Sequence, residues 1–92
     1  MQGWDDAQFN LGVCLLNGRG VQKNESEGIA WLREAALQGH SDAQLILGAA
    51  LLKGRGVTRD GQNAIEGMEW VRKSAEQGNP KAVEVLRKAG NP

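Results

Sequence analysis

Ninety-two residues with eleven Lys and Arg against eleven Asp and Glu carry no net charge. That suits one domain with a modest core and lacks the strongly basic face that nucleic-acid binding asks for. No apolar run approaches the roughly 20 residues of a membrane span, and Met1 is followed by polar residues where a secretory signal would be basic and then hydrophobic. Neither membrane insertion nor export is indicated, and the cytoplasm is the default compartment. A single cysteine, Cys14, and a single histidine, His40, exclude an internal disulfide and a metal site of three or four N/S ligands. No cofactor is expected.

The first predicted helix covers residues 5 to 17. Its centre, Phe9-Asn10-Leu11-Gly12-Val13-Cys14-Leu15-Leu16, is apolar nearly all round, which marks a helix buried on more than one side. Ala7, Leu11, Gly12 and Leu15 can face a partner helix, the glycine allowing a close crossing, while Phe9, Val13 and Leu16 lie on another face. Gly18-Arg19-Gly20 then breaks the helix. A phosphate-binding loop would follow a strand, whereas this tripeptide, like its repeat Gly54-Arg55-Gly56, follows a helix and reads as a turn, with Arg19 and Arg55 solvated at its tip.

The second predicted helix covers residues 24 to 38. Asn24-Glu25-Ser26-Glu27 resembles a capping box, and Gly28, Trp31, Leu32, Ala35 and Ala36 form one apolar stripe at i, i+3, i+4, i+7 and i+8. Gly39 stands where a left-handed C-terminal cap is wanted. His40, Ser41 and Asp42 hold triad residue types only as sequence neighbours, which point in different directions at a helix start, so His40 is read as a loop or cap residue.

The third helix, 41 to 53, repeats the first, with Leu45, Ala49 and Leu52 on the face of Phe9, Val13 and Leu16. The fourth, 63 to 77, repeats the second, with Asn63-Ala64-Ile65-Glu66 as its box, Gly67, Trp70, Val71, Ser74 and Ala75 as its stripe and Gly78 as its stop. The fifth, 80 to 89, opens on Pro80 at the first helical position, where a missing N–H costs little. Ala7-Gln8, Leu11-Gly12, Gly18-Arg19-Gly20-Val21, Trp31 and Gln38-Gly39 recur as Ala43-Gln44, Leu47-Gly48, Gly54-Arg55-Gly56-Val57, Trp70 and Gln77-Gly78. The chain is therefore a repeat protein in one domain, residues 1 to 92: repeat one at 7–42, repeat two at 43–81 and a partial third repeat or capping helix at 82–92. Three residues inserted between Val57 and Glu66 are expected in a loop, because both flanks keep their register. About three solenoid units are usually needed for independent stability, so Trp4 and the last helix are expected either to cap the ends or to adjoin more of a longer array.

The order Ala-Gln, Leu-Gly, Gly-x-Gly-Val, an N-cap, Trp, Ala-Ala and Gln-Gly at a period of about 36 resembles the Sel-one-like repeat family, a branch of the tetratricopeptide-like helical solenoids. The resemblance covers nearly the whole chain. It departs at Leu15 and Leu51, where the family favours Tyr, and at Gly28 and Gly67, where it favours Ala. A mid-helix Gly costs on the order of 1 kcal/mol against Ala, so Gly28→Ala and Gly67→Ala are expected to stabilise wherever a methyl group fits.

The resemblance implies an all-α superhelix whose first helices line a concave surface, and a role as adaptor or scaffold. Carried over, that surface presents Asp6, Phe9, Val13, Leu16 and Asn17 in repeat one and Asp42, Leu45, Ala49, Leu52 and Lys53 in repeat two, continued by Lys81, Glu84 and Lys88. Its expected occupant is a partner protein's amphipathic helix or extended peptide; the alternatives are a second copy, making a homodimer, or further chain. Leu16 and Leu52 are expected to tolerate a charge without loss of fold. Some cysteine-rich relatives of the family have been linked to β-lactam binding and hydrolysis. Their framework has paired cysteines in each repeat, this chain has Cys14 alone, and no enzyme activity is expected. Trp31 and Trp70 are expected to fill the gaps between helix pairs. Residues 1 to 46 carry three basic and six acidic side chains, and the remainder eight and five, an asymmetry that favours head-to-tail contact with another copy or with neighbouring repeats.

Overall fold

The computed structural model describes residues 3–58 and 60–90. Met1, Gln2, Arg59 in the stretch between Val57 and Glu66, and Asn91 and Pro92 at the end of the partial third repeat lie outside the described residues. Five helices account for the fold: α1 Trp4–Asn17, α2 Glu25–Leu37, α3 Ser41–Lys53, α4 Gly61–Glu76 and α5 Pro80–Gly90. No strand occurs among the described residues.

Each helix stops where its terminal carbonyls find other donors. At the end of α2, Gly39 adopts φ 91°, a left-handed conformation that glycine enters without a Cβ penalty. Its N–H then reaches Ala36 O at 3.0 Å and the N–H of His40 reaches Ala35 O at 3.2 Å, the paired bonds of a Schellman cap. Gly78 closes α4 in the same way, with Asn79 N–H on Ser74 O at 3.2 Å. At the start of α2, Asn24 accepts from Glu27 N–H, as the capping box predicts.

The start of α4 departs from the sequence expectation. The N-cap is Asp60, whose carboxylate accepts from Asn63 N–H at 2.9 Å, and the helix runs 16 residues against 13 in α2. Three residues come close to one turn of 3.6. The insertion therefore lengthens α4 at its exposed end instead of sitting in a loop, and everything from Glu66 onward keeps its register.

α1 packs on α2 and α3 on α4 as antiparallel hairpins, and the crossings are made of backbone. A Cβ built on Gly28 would lie 2.8 Å from Gly12 O and 2.9 Å from Leu16 N, and one on Gly67 would lie 2.8 Å from Gly48 O. No methyl group fits at either site. The expected gain from Gly28→Ala and Gly67→Ala is thus corrected, since glycine at both partners is what lets the helices touch.

The main core gathers Leu16, Ile29, Leu32, Ala35 and Ala36 of the first hairpin with Ala43, Leu47, Ala50, Leu51 and Trp70 of the second. A second cluster of Leu45, Val71 and Ala82 joins α5 to the second hairpin. Equivalent positions differ in burial because α1 has no described helix on its outer side. Ala43 and Leu47 are fully buried, whereas Ala7 is exposed and Leu11 is 37 % exposed, so these two do not serve the hairpin interface expected of them. Trp70 is buried in the main core, but its counterpart Trp31 is only half-buried. Trp4 stands 66 % exposed and covers little apolar surface.

Gly48→Ala would place a methyl 2.6 Å from Gly67 O and 2.7 Å from Val71 Cγ2. We expect it, and Gly28→Ala, to destabilise by about 1–3 kcal/mol through overpacking, read as a lower denaturant midpoint; a raised midpoint would contradict the close crossing. Trp70→Ala should cost about 3–5 kcal/mol, and Trp31→Ala clearly less, because only the former removes a side chain enclosed on all sides. Equal losses in parallel melts would remove that distinction.

Candidate protein-binding surface

The ten residues expected to face a partner do not share one environment. Leu16 is 2 % and Leu45 7 % exposed, and both lie in core clusters. Their place on an open surface, and the tolerance of Leu16 for a charge, are corrected: the second hairpin covers Leu16, and α5 packs over Leu45. Phe9, Val13, Ala49 and Leu52 are half-buried, while Asn17, Asp42 and Lys53 are exposed. Lys81 and Lys88 on α5 are exposed as well, and Glu84 is half-buried beside Arg87, with which it pairs.

Asp6 and Asp42 have a task that the sequence reading missed. His40 is the N-cap of α3, its Nδ1 accepting from Ala43 N–H at 3.1 Å. That leaves Nε2 to donate its proton to Asp6 Oδ1 at 2.7 Å, while the ring stacks on Phe9 with centroids 4.7 Å apart. In the next unit Asn79 caps α5 through bonds to Lys81 and Ala82 N–H and donates to Asp42 Oδ1 at 2.9 Å. Each aspartate therefore holds the cap of the following A helix. The position one residue before Ser41, and its counterpart before Pro80, was the available signal.

Glutamines repeat the arrangement. Gln8 and Gln44 are buried at 5 %, and each accepts from the glutamine at the end of its own hairpin, Gln38 and Gln77 respectively. Gln44 also donates to Ala36 O at 3.1 Å, and Gln77 to Gly39 O at 2.9 Å, so the second pair reaches back to the first hairpin.

Arg55, expected to be solvated, instead ties the hairpins together. Its guanidinium donates to Leu16 O at 2.9 Å, to Asn17 Oδ1 at 3.1 Å and to Glu25 Oε2 at 3.1 Å. The bond from Arg55 holds the Glu25 carboxyl below its usual range, with the charge of Lys23 adding and burial opposing. Across the same interface Arg33 pairs with Glu66, which also accepts from Trp70 Nε1 at 3.1 Å. Arg33 and then the indole N–H likewise lower the Glu66 carboxyl against the effect of burial. Lys73 Nζ sits 4.8 Å from the Trp70 ring centroid, a cation–π contact. Among the described residues no three His, Cys, Asp or Glu side chains gather as metal ligands, and no helix is long and apolar enough to cross a membrane.

Two hairpins built on one pattern, with aspartate-held caps and glutamine pairs recurring position for position and a fifth helix following, define a helical-repeat protein of the solenoid class. The Sel1 repeat profile matches residues 5–40 and 41–79. The chain belongs to the Sel1 repeat family, whose members are generally protein-interaction modules. Among solved structures it is similar to a Sel1 repeat protein from Oxalobacter formigenes, at 36 % identity and a TM-score of 0.83 over 95 % of this chain and 24 % of that one. It is also similar to a protective antigen of uropathogenic Escherichia coli strains that displays the same repeat fold, at 38 % identity and 0.81 over 96 % and 19 %. Cysteine-rich protein B of Helicobacter pylori shares the fold at 23 % identity and 0.79 over 89 % of this chain and 59 % of that one. The chain thus spans a quarter or less of the first two. No curated protein sequence matches it.

Both lowered carboxylates sit between the hairpins. A group held below its unfolded value contributes stability that is complete above that value and is lost as pH falls through the folded one. Starting from an ordinary value of 4.5, the ties should be intact at neutral pH and fail below about pH 4. Glu66→Gln should lower the melting temperature at pH 7 and shrink the difference between pH 6 and pH 3; an undiminished difference would assign the acid sensitivity elsewhere. Arg55→Ala should cost roughly 1–3 kcal/mol, against less than about 0.5 kcal/mol for Arg19→Ala at the exposed equivalent turn. Urea titrations of the two variants compare them directly.

Proposed function

We propose that the chain is a non-enzymatic adaptor that docks a partner's helix or extended peptide along its A-helix face. Phe9 and Val13 on α1 and Ala49 and Leu52 on α3 remain half-open, and that strip carries the reading. Asn17 and Lys53 at the helix ends and Asp42 at the start of α3 edge it with polar groups, the usual composition of a peptide groove. Val13 and Ala49 hold the same repeat position, apolar and half-buried in both units. Such positions are common where a surface is kept for contact. Lys81 and Lys88 extend the face and would favour an acidic end on the ligand.

The experiment uses Val13 and Ala49, which lie apart from any other proposed contact. A photo-crosslinking residue at Ala49 should capture a partner, and one at the exposed Ala30 on α2 should not. Val13→Asp should abolish the capture with an unchanged helical circular dichroism spectrum. Equal yields at Ala49 and Ala30, or capture indifferent to Val13→Asp, would defeat the assignment.

A further inference from the structure

On the outer side of the second hairpin, Leu52, Ala64, Ile65, Met68, Glu69 and Arg72 line an open notch of about 370 Å³. Repeat equivalence makes them the counterparts of Leu16, Glu25, Ser26, Ile29, Ala30 and Arg33. In the first hairpin that patch is covered. Val57 packs on the cluster holding Leu16 and Ile29, Ser26 Oγ donates to Gly56 O at 3.4 Å, and Arg33 receives the Glu66 carboxylate. The cover thus supplies an apolar anchor and a carboxylate.

The second patch is uncovered among the described residues. Ile65 is 59 % exposed, Leu52 and Met68 are half-buried, and Glu69 and Arg72 are exposed. Another Gly-Arg-Gly-Val loop does not suit it. The side-chain acceptors of Arg55, Glu25 and Asn17, are replaced at the equivalent positions by Ala64 and Lys53, so an incoming arginine would lose a carboxylate and meet a like charge. Nor does α5 suit a further close hairpin, since Arg87 occupies the crossing position of Gly12 and Gly48. The changes from Ser26 to Ile65 and from Ala30 to Glu69 instead put an apolar anchor and a carboxylate one turn apart on α4, beside Arg72.

That combination is self-complementary. We propose that the chain forms a two-fold symmetric dimer in which α4 packs antiparallel on α4 of a second copy. The notches of the two copies face each other across the axis, Ile65 packs over the aliphatic stem of the opposite Arg72, and each Glu69 pairs with the guanidinium of that arginine, reproducing the Arg33–Glu66 tie between molecules. A two-fold axis makes one patch serve both sides and closes the assembly at two.

Sedimentation equilibrium of the 92-residue chain at rising concentration tests this. Wild type should approach the mass of a dimer. Glu69→Arg and Arg72→Glu should each weaken association about tenfold or more, and Ile65→Ser should do so without any charge change. All three side chains are exposed, so circular dichroism should not move. An equimolar mixture of the Glu69→Arg and Arg72→Glu chains should recover the dimer, as should the double variant, because both interfacial pairs are then opposite in sign. Val13→Asp should leave it intact, which separates this interface from the proposed A-helix face. A monomer throughout, growth beyond two copies as in head-to-tail stacking, or a dimer that the mixture does not restore would each overturn the proposal.

Discussion

Everything in this fold is hung on two places where helix backbones touch. Gly12 against Gly28 and Gly48 against Gly67 bring peptide groups to the distance that side chains normally occupy. A crossing that tight leaves the surrounding leucines in one arrangement, because dense packing is intolerant of displacement. The intrinsic helical cost of four glycines is offset by contacts that alanine would forbid. Local propensity and tertiary geometry conflict at these sites, and the geometry prevails.

From those two hairpins the rest follows as a problem of stacking. Apolar burial between them is supplied largely by Leu16, Ile29, Leu47 and Trp70, but such contacts are not directional. Direction comes from the polar ties: Arg55 on the first hairpin's turn, Arg33 on Glu66, Gln44 on Ala36, and the aspartates that hold the next cap. Buried polar groups must find partners or destabilise the fold, so each tie admits one relative placement of its units. Burial and hydrogen bonding therefore do separate work here, the first holding hairpins together and the second setting their angle.

Much of this was legible in the sequence. Five helices, the glycine stops, the cap at Asn24 and the core place of Trp70 all follow from periodicity and capping chemistry, which act locally. What could not be read concerned neighbours. Leu16 and Val13 look alike on a helical wheel, but Leu16 is enclosed within the core between the hairpins, whereas Val13 packs at its edge and stays half-buried. Trp31 and Trp70 occupy the same repeat position, and their burial differs because one has a hairpin on its outer side and the other has none described. Gly28 gave the signal of a weak helix residue, whereas its role is set by a residue 16 positions away. The roles of Asp6 and Asp42 were hidden for the same reason, since each acts on a residue in the following helix.

The extra turn of α4 shows how such a repeat can change length without changing register. At about 1.5 Å of rise per residue, Gly61, Gln62 and Asn63 make a ledge of roughly 4.5 Å beyond the level at which α2 begins. Gly61 and Gln62 are exposed, and the crossing at Gly67 lies farther along the helix. The N-terminal end of a B helix is therefore a graft point: whole turns can be added there in either unit, raising the rim of the domain while the interior is left as it was.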